Sequence, residues 1–175
     1  MFSFFDVQQL IINFPLYNMN RLEKTVSKLK KYPTWVLSFA IGRIVKFVGT
    51  AGCRFDLMTK EKVVISLKNK PKVRNHIGQI HAAAMVLLAE TATGMVVGMN
   101  VPDDKLPLMK SIHTKFVKRS NGHMKAEAFL TSEQIEQINT LEKGEVTVKV
   151  KVTDQTGEEP VICEMIWAWI PKGKR

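Results

Sequence analysis

Cysteine is nearly absent, with Cys53 and Cys163 the only two in 175 residues. Two thiols so far apart in the chain make neither a disulfide framework nor a zinc site, and they point to reducing, cytoplasmic surroundings. Histidines 76, 81, 113 and 123 have no ligand spacing such as His-x-x-x-His, so no metal is expected. No Gly-rich phosphate loop and no Gly-x-Ser-x-Gly elbow occurs, which leaves cofactor-free acid–base work as the available chemistry. Acids are scarce beside bases: 16 Asp and Glu against 26 Lys and Arg give a net charge of +10. That balance favours anionic partners such as nucleic acid, acidic lipid or a phosphorylated metabolite, with a merely solvated basic face as the alternative. Without a helix-turn-helix, zinc-finger or stacking-aromatic motif, a specific nucleic-acid partner is not expected. Long apolar runs are missing too. The window from Trp35 to Gly52 is broken by Arg43 and Lys46 and is short for a span. An amphipathic helix lying on the core is preferred there over one on a membrane surface, so peripheral membrane contact is not expected. The opening "MFSFFDVQQLIINF" lacks basic residues and carries Asp6, which makes it a poor signal peptide.

What is present reads as one domain with room for a core. Residues 1–49 form a helical extension: one helix from Asp6 to about Asn13, a second over "MNRLEKTVSKLKKY", and a third over 34–48, with Pro15 and Pro33 as breaks. From residue 50 the period changes. "RFDLMT" and "KVVISLKN" read as two strands around the turn "TKEK". Residues 81–97 are too long and too Ala- and Leu-rich for a strand and read as a buried helix. "NVPDDKLP" breaks the chain, and "SIHTKFVKRS" is then expected to pair with "HMKAEAFLT" across the Asn121-Gly122 turn. Thr131 and Gln134 have capping-box spacing, and Gly144 is expected to close that helix. Val146, Val148, Val150 and Val152 alternate with polar residues as a half-buried strand, and "PVICEMIWAWIP" is the last strand. A helix apolar nearly all round must be covered on most sides, and five or six antiparallel strands are available to curl around it. The expected class is α+β: a curled antiparallel sheet around one long helix, the hot-dog arrangement, with a helical extension. Its open edge invites pairing with a second copy.

One residue resists this reading. From Gly78 through Gly94, Glu90 is the only ionisable group besides His81. A carboxylate on a buried helix is costly unless it is paired, neutralised or used, and desolvation raises its pKa toward the range of a general base. The alternative is a Glu facing a gap and satisfied by a Lys or Thr.

Asn75-x-x-Gly78-x-x-His81-Ala82-Ala83, with Glu90 nine residues after the His, resembles the hot-dog thioesterases of the PaaI-like group, and in particular their relatives with a DUF4442 domain. The resemblance covers roughly residues 50–171. It implies hydrolysis of acyl-CoA or another acyl-carrier thioester in a homodimer or a tetramer. Glu90 would act as general base or nucleophile, with Thr91 assisting. Asn75, Gly78 and His81 would orient substrate or water, and the Ala83 amide, with Ala82 beside it, would polarise the carbonyl. Loop and carboxylate would come from different subunits. This sequence departs from the pattern in one place, because His-Gly-Gly has become His-Ala-Ala. Lys110, Lys115, Lys118, Arg119 and Lys125 are expected to cluster on the middle hairpin, where Lys118 and Arg119 could hold the phosphates of CoA. The rival from another class is a non-catalytic acyl-CoA or lipid-binding protein that kept the fold.

Overall fold

A computed structural model describes residues 19–173, and the helix expected over Asp6 to about Asn13 lies outside them. Three helices come first: α1 (Arg21–Leu29), α2 (Thr34–Ile44) and α3 (Lys46–Ala51). Asn20 caps α1. Its Oδ1 accepts the Glu23 N–H, and its Nδ2 donates to the carbonyls of Gly98 and Val101 at 2.8 Å each. One buried Asn therefore starts a helix and ties it to the centre of the molecule. The helix expected over 34–48 is two helices, broken at Val45 with φ −96° and ψ 87°. Gly42 and Gly49 let the halves close together, since a Cβ on Gly49 would stand 2.4 Å from the Gly42 carbonyl oxygen. Val26, Ile41 and Val48 enter the common core, so the three helices are packed onto the sheet domain.

The sheet follows. β1 (Arg54–Met58) and β2 (Lys62–Leu67) form the expected hairpin, with the Thr59 N–H donating to the Lys62 carbonyl at 2.8 Å. The central helix α4 (Ala82–Gly98) precedes β3 (Lys105–Phe116), β4 (Met124–Phe129), α5 (Ser132–Thr140), β5 (Gly144–Asp154) and β6 (Val161–Pro171). All pairings are antiparallel, in the order β1-β2-β4-β5-β6-β3. Ala126 and Ala128, Val146, Val148 and Val152, and Met165, Trp167 and Trp169 turn inward by strand alternation onto α4. On α4 itself Leu88, Ala92 and Val96 are fully buried, and Leu88 alone stabilises the fold by about 2 kcal/mol. This is the α+β hot-dog arrangement.

Three expectations need correction. β3 and β4 do not form a hairpin: β3 pairs with β6 at one edge, and β4 lies between β2 and β5. A tight Asn-Gly turn wants both central residues at positive φ, and here only Gly122 has it (φ +67°). Asn121 instead donates its N–H to Asp154 Oδ2 and accepts from the Gln155 N–H, so the pair anchors a crossover. Gly144 does not close α5. The helix ends at Thr140, and Lys105 Nζ donates to the carbonyls of Ile138, Asn139 and Leu141 there, a cation at the negative helix end. Gly144 opens β5 because a Cβ would lie 2.5 Å from the Trp169 ring. Finally, β3 begins at Lys105, inside the expected break, because Pro107 is tolerated on an outermost strand.

Candidate active site

The loop from Asn69 to His81 is closed by its own side chains. Asn75 Oδ1 accepts the N–H groups of Ile77 (3.1 Å) and Gln79 (3.0 Å), and Gly78 takes φ +77° to complete the turn. With the oxygen so engaged, the Asn75 NH₂ is the group left to donate outward. The loop is braced from behind by residues that the motif does not include. Asn69 Nδ2 donates to the Gly78 carbonyl (3.1 Å), while Arg74 donates to Asn69 Oδ1 and its carbonyl at 2.9 Å each. The Asn69 N–H in turn donates to His123 Nδ1 (3.0 Å).

His81 is the N-cap of α4. Its Nδ1 accepts the Ala83 N–H at 3.1 Å, which leaves the proton on Nε2 pointing out. The Ala83 amide, expected to be free for a carbonyl, is therefore engaged within the chain. The N–H groups of Ala84 and Met85 both reach the His81 carbonyl. Ala82 alone in this first turn has no acceptor for its N–H among the described residues. Helix polarity adds partial positive charge at that point.

Glu90 lies half-buried on the same helix. Desolvation pushes its carboxyl up from the ordinary range, against a weak hydrogen bond from Thr91 Oγ1 to Oε2 at 3.4 Å. Among the described residues no cation pairs with it. Nine residues separate it from His81, about 13 Å along the axis and half a turn around it. One chain thus assembles Asn75, Gly78, His81, Ala82 and Ala83 at one place and Glu90 with Thr91 at another.

The basic residues expected on one hairpin divide between the far edge strand β3 with its following loop and the inner strand β4. Lys110 pairs with Glu145, Lys118 with Glu158, and Lys125 with Glu127. Arg119 has no acid partner among the described residues. A different pair of cations adjoins the loop. A cavity of about 190 Å³ between α3 and the start of α4 is lined by Lys72, Arg74, His81 and Ala83 over the apolar Phe47 and Leu87. Both thiols are out of play for nucleophilic work: burial pushes Cys53 up to about 11 and also raises Cys163. Among the described residues no cluster of His, Cys, Asp or Glu could hold a metal.

A family model, the domain of unknown function DUF4442, matches residues 33–170. Solved structures share the architecture. A Pseudomonas aeruginosa protein of unknown function, described as a "Probable Thioesterase", matches with TM-score 0.71 at 23% identity over 81% of this chain and 97% of that one. A thioesterase from Haemophilus influenzae matches with TM-score 0.61 at 12% identity, over 80% of this chain and 92% of that one. A Bacillus halodurans protein solved with CoA matches with TM-score 0.51 at 19% identity, over 61% and 66%. At these identities the likeness speaks for the fold. Among curated proteins, none matches the chain.

Proposed function

The chain belongs to the DUF4442 family, and from that premise we propose that it hydrolyses acyl thioesters, with CoA esters as the first substrates to consider. The observation that carries the reading is Glu90: a desolvated carboxylate with raised affinity for a proton and no neutralising partner, on a helix that otherwise buries apolar side chains. Such a group suits a general base. In this scheme Glu90 takes a proton from water as the oxygen adds to the thioester carbonyl. When the C–S bond breaks, the protonated Glu90 returns that proton to the leaving sulfur, releasing carboxylic acid and thiol with Glu90 ionised again. Outward donors near the α4 start, namely the Ala82 N–H, His81 Nε2–H and Asn75 NH₂, would hold the developing oxyanion. Lys72 and Arg74, at the cavity beside them, suit the phosphates of a nucleotide carrier better than Lys118, which Glu158 already engages.

About 13 Å of helix is too far for one carbonyl to meet both Glu90 and the donors of its own chain. The site is then composite: Glu90 of one protomer faces the loop of another. β3 supports this, because its twelve residues form one edge of the sheet with a row of unpaired backbone groups. The two methyls of Ala82 and Ala83 stand exposed, so they narrow the approach without removing the N–H of Ala82.

Free-thiol release from a panel of acyl-CoAs, short, long and aromatic, tests the reading with wild type beside Glu90→Gln. Loss of turnover by about a hundredfold or more, with secondary structure and oligomeric state kept, is the expected result. Wild type that binds a CoA ester tightly but turns over none of the panel would instead make this a binding module.

A further inference from the structure

A second feature adjoins that site, on the outer helices α2 and α3. Helices α2 and α3 leave Trp35 (64% exposed), Phe39 (62%) and Phe47 (62%) uncovered, and Ile44 (80%) is exposed where α2 ends. Trp167 and Trp169, by contrast, are 8% and 1% exposed in the core. Trp35, Phe39 and Arg43 follow one another at four-residue spacing along one ridge of α2, and the Arg43 guanidinium sits 5.7 Å from the Phe39 ring centre. The Gly42–Gly49 contact holds α3 against α2, so Lys46 and Phe47 are carried on the same helix pair.

The chain segment that carries this surface has charge of one sign. From Lys24 to Phe55 the chain holds seven Lys or Arg and no Asp or Glu. Among the described residues only Arg54 of these seven has an acid partner, Asp56. On the sheet and its loops, by contrast, Lys110, Lys118, Lys125 and Lys151 are paired with glutamates. The two cavities that adjoin α2 and α3 are lined by Arg43, Lys72 and Arg74 and by no acid.

Against the sequence-based expectation of a helix covered by the core, Trp35 and Phe39 stand uncovered, and we propose that this face docks on an anionic phospholipid surface. Exposed aromatic and aliphatic side chains rimmed by unpaired cations are the composition of a segment that lies in the headgroup plane. The eleven residues of α2 are about 16 Å long, and no described helix is long and apolar enough to cross a membrane, so the contact is peripheral. A second copy is the weaker occupant. A twofold contact through this face sets the same unpaired cations against themselves, and residues 24–55 hold no acid to offset the repulsion. The proposal stands apart from the thioesterase reading, because it is measured without any turnover.

Full-length protein is floated with vesicles of phosphatidylcholine alone and of phosphatidylcholine with about one-third phosphatidylglycerol. Binding to the anionic vesicles, weakened by salt, together with a blue shift of tryptophan emission, is expected, since Trp35 is the one exposed tryptophan. The variant W35S/F39S should lose at least about tenfold in partitioning. R43E/K46E, which leaves the apolar side chains in place, should lose about as much on anionic vesicles alone. Near-UV circular dichroism, dominated by the two core tryptophans, reports that each variant is folded. No binding to either vesicle overturns the proposal, and so does binding that both variants retain. A Trp35 already shielded from acrylamide without lipid overturns it as well, in favour of a cover by a second copy or by residues 1–18.

Discussion

Glu90 has a pH signature of its own. Desolvation raises its folded pKa, so the folded protein holds this proton more tightly than the unfolded chain. Stability from the protonated form is fully present below the ordinary carboxylate range and is lost as pH rises through the raised folded value. Glu90→Gln should therefore melt higher than wild type near pH 7–8 and lose that advantage near pH 4. Thermal melts of both proteins across that interval check it, and a pH-independent gap would count against a desolvated Glu90. Asp154 has the opposite sign. Burial pushes it up, but hydrogen bonds from Thr156 Oγ1 and the N–H groups of Asn121, Thr156 and Glu158 outweigh that and hold it low. Its contribution is lost as pH falls, and Asp154→Asn should flatten the acid limb. Glu90 was legible because a lone carboxylate interrupts an apolar run. Asn69 and Arg74 were not: their brace runs to His123, 54 residues further on, and no local spacing announces it.

At the scale of elements, the contact of α4 with β6 rests on a missing side chain. A Cβ at Gly94 would lie 2.6 Å from the Trp167 ring, whose Nε1–H donates to Thr93 Oγ1 at 3.0 Å. Gly94→Ala gains up to about 1 kcal/mol of helix propensity but overpacks the seam at a cost of about 1–3 kcal/mol. The expected net result is a lower urea midpoint with an altered near-UV tryptophan signal. A stabilised variant would mean that helix and ring do not meet this closely. Helices and strand alternation could be read from periodicity, and the Thr131–Gln134 capping box forms as its spacing implies. The path of the chain between β3 and β4 could not. Asn-Gly is a local signal, whereas β3 is held by register with β6 from Lys105↔Pro171 to Phe116↔Val161. Long-range pairing of that extent overrides a two-residue preference.

For the whole molecule, the composite site makes a claim that a single chain cannot satisfy. Glu90→Gln and the double variant Asn75→Ala/His81→Ala should each be inactive alone. Refolded together in equal amounts they should recover about a quarter of wild-type sites, since half of the dimers are hybrids with one intact site each. Activity that stays at the level of the separate variants would place the whole site within one chain. The hot-dog architecture itself was legible early, because one helix apolar on nearly every side needs a sheet to wrap it. The donors at the start of α4 were less so: the Ala83 amide was expected to be free, whereas His81 Nδ1 accepts it and leaves the Ala82 N–H without an acceptor among the described residues.

The two ends of the sheet have a further consequence. β1 is five residues long and bulged between Phe55 and Leu57, and β3 carries Pro107 and a bulge between Met109 and Ser111. Growth of a fibril needs long, flat edges that can be copied without limit. Neither rim offers one. The same strand that is long enough to greet a single partner is too interrupted to seed a stack, so a chain rich in valine and isoleucine strands is guarded against amyloid by a proline and two misplaced residues.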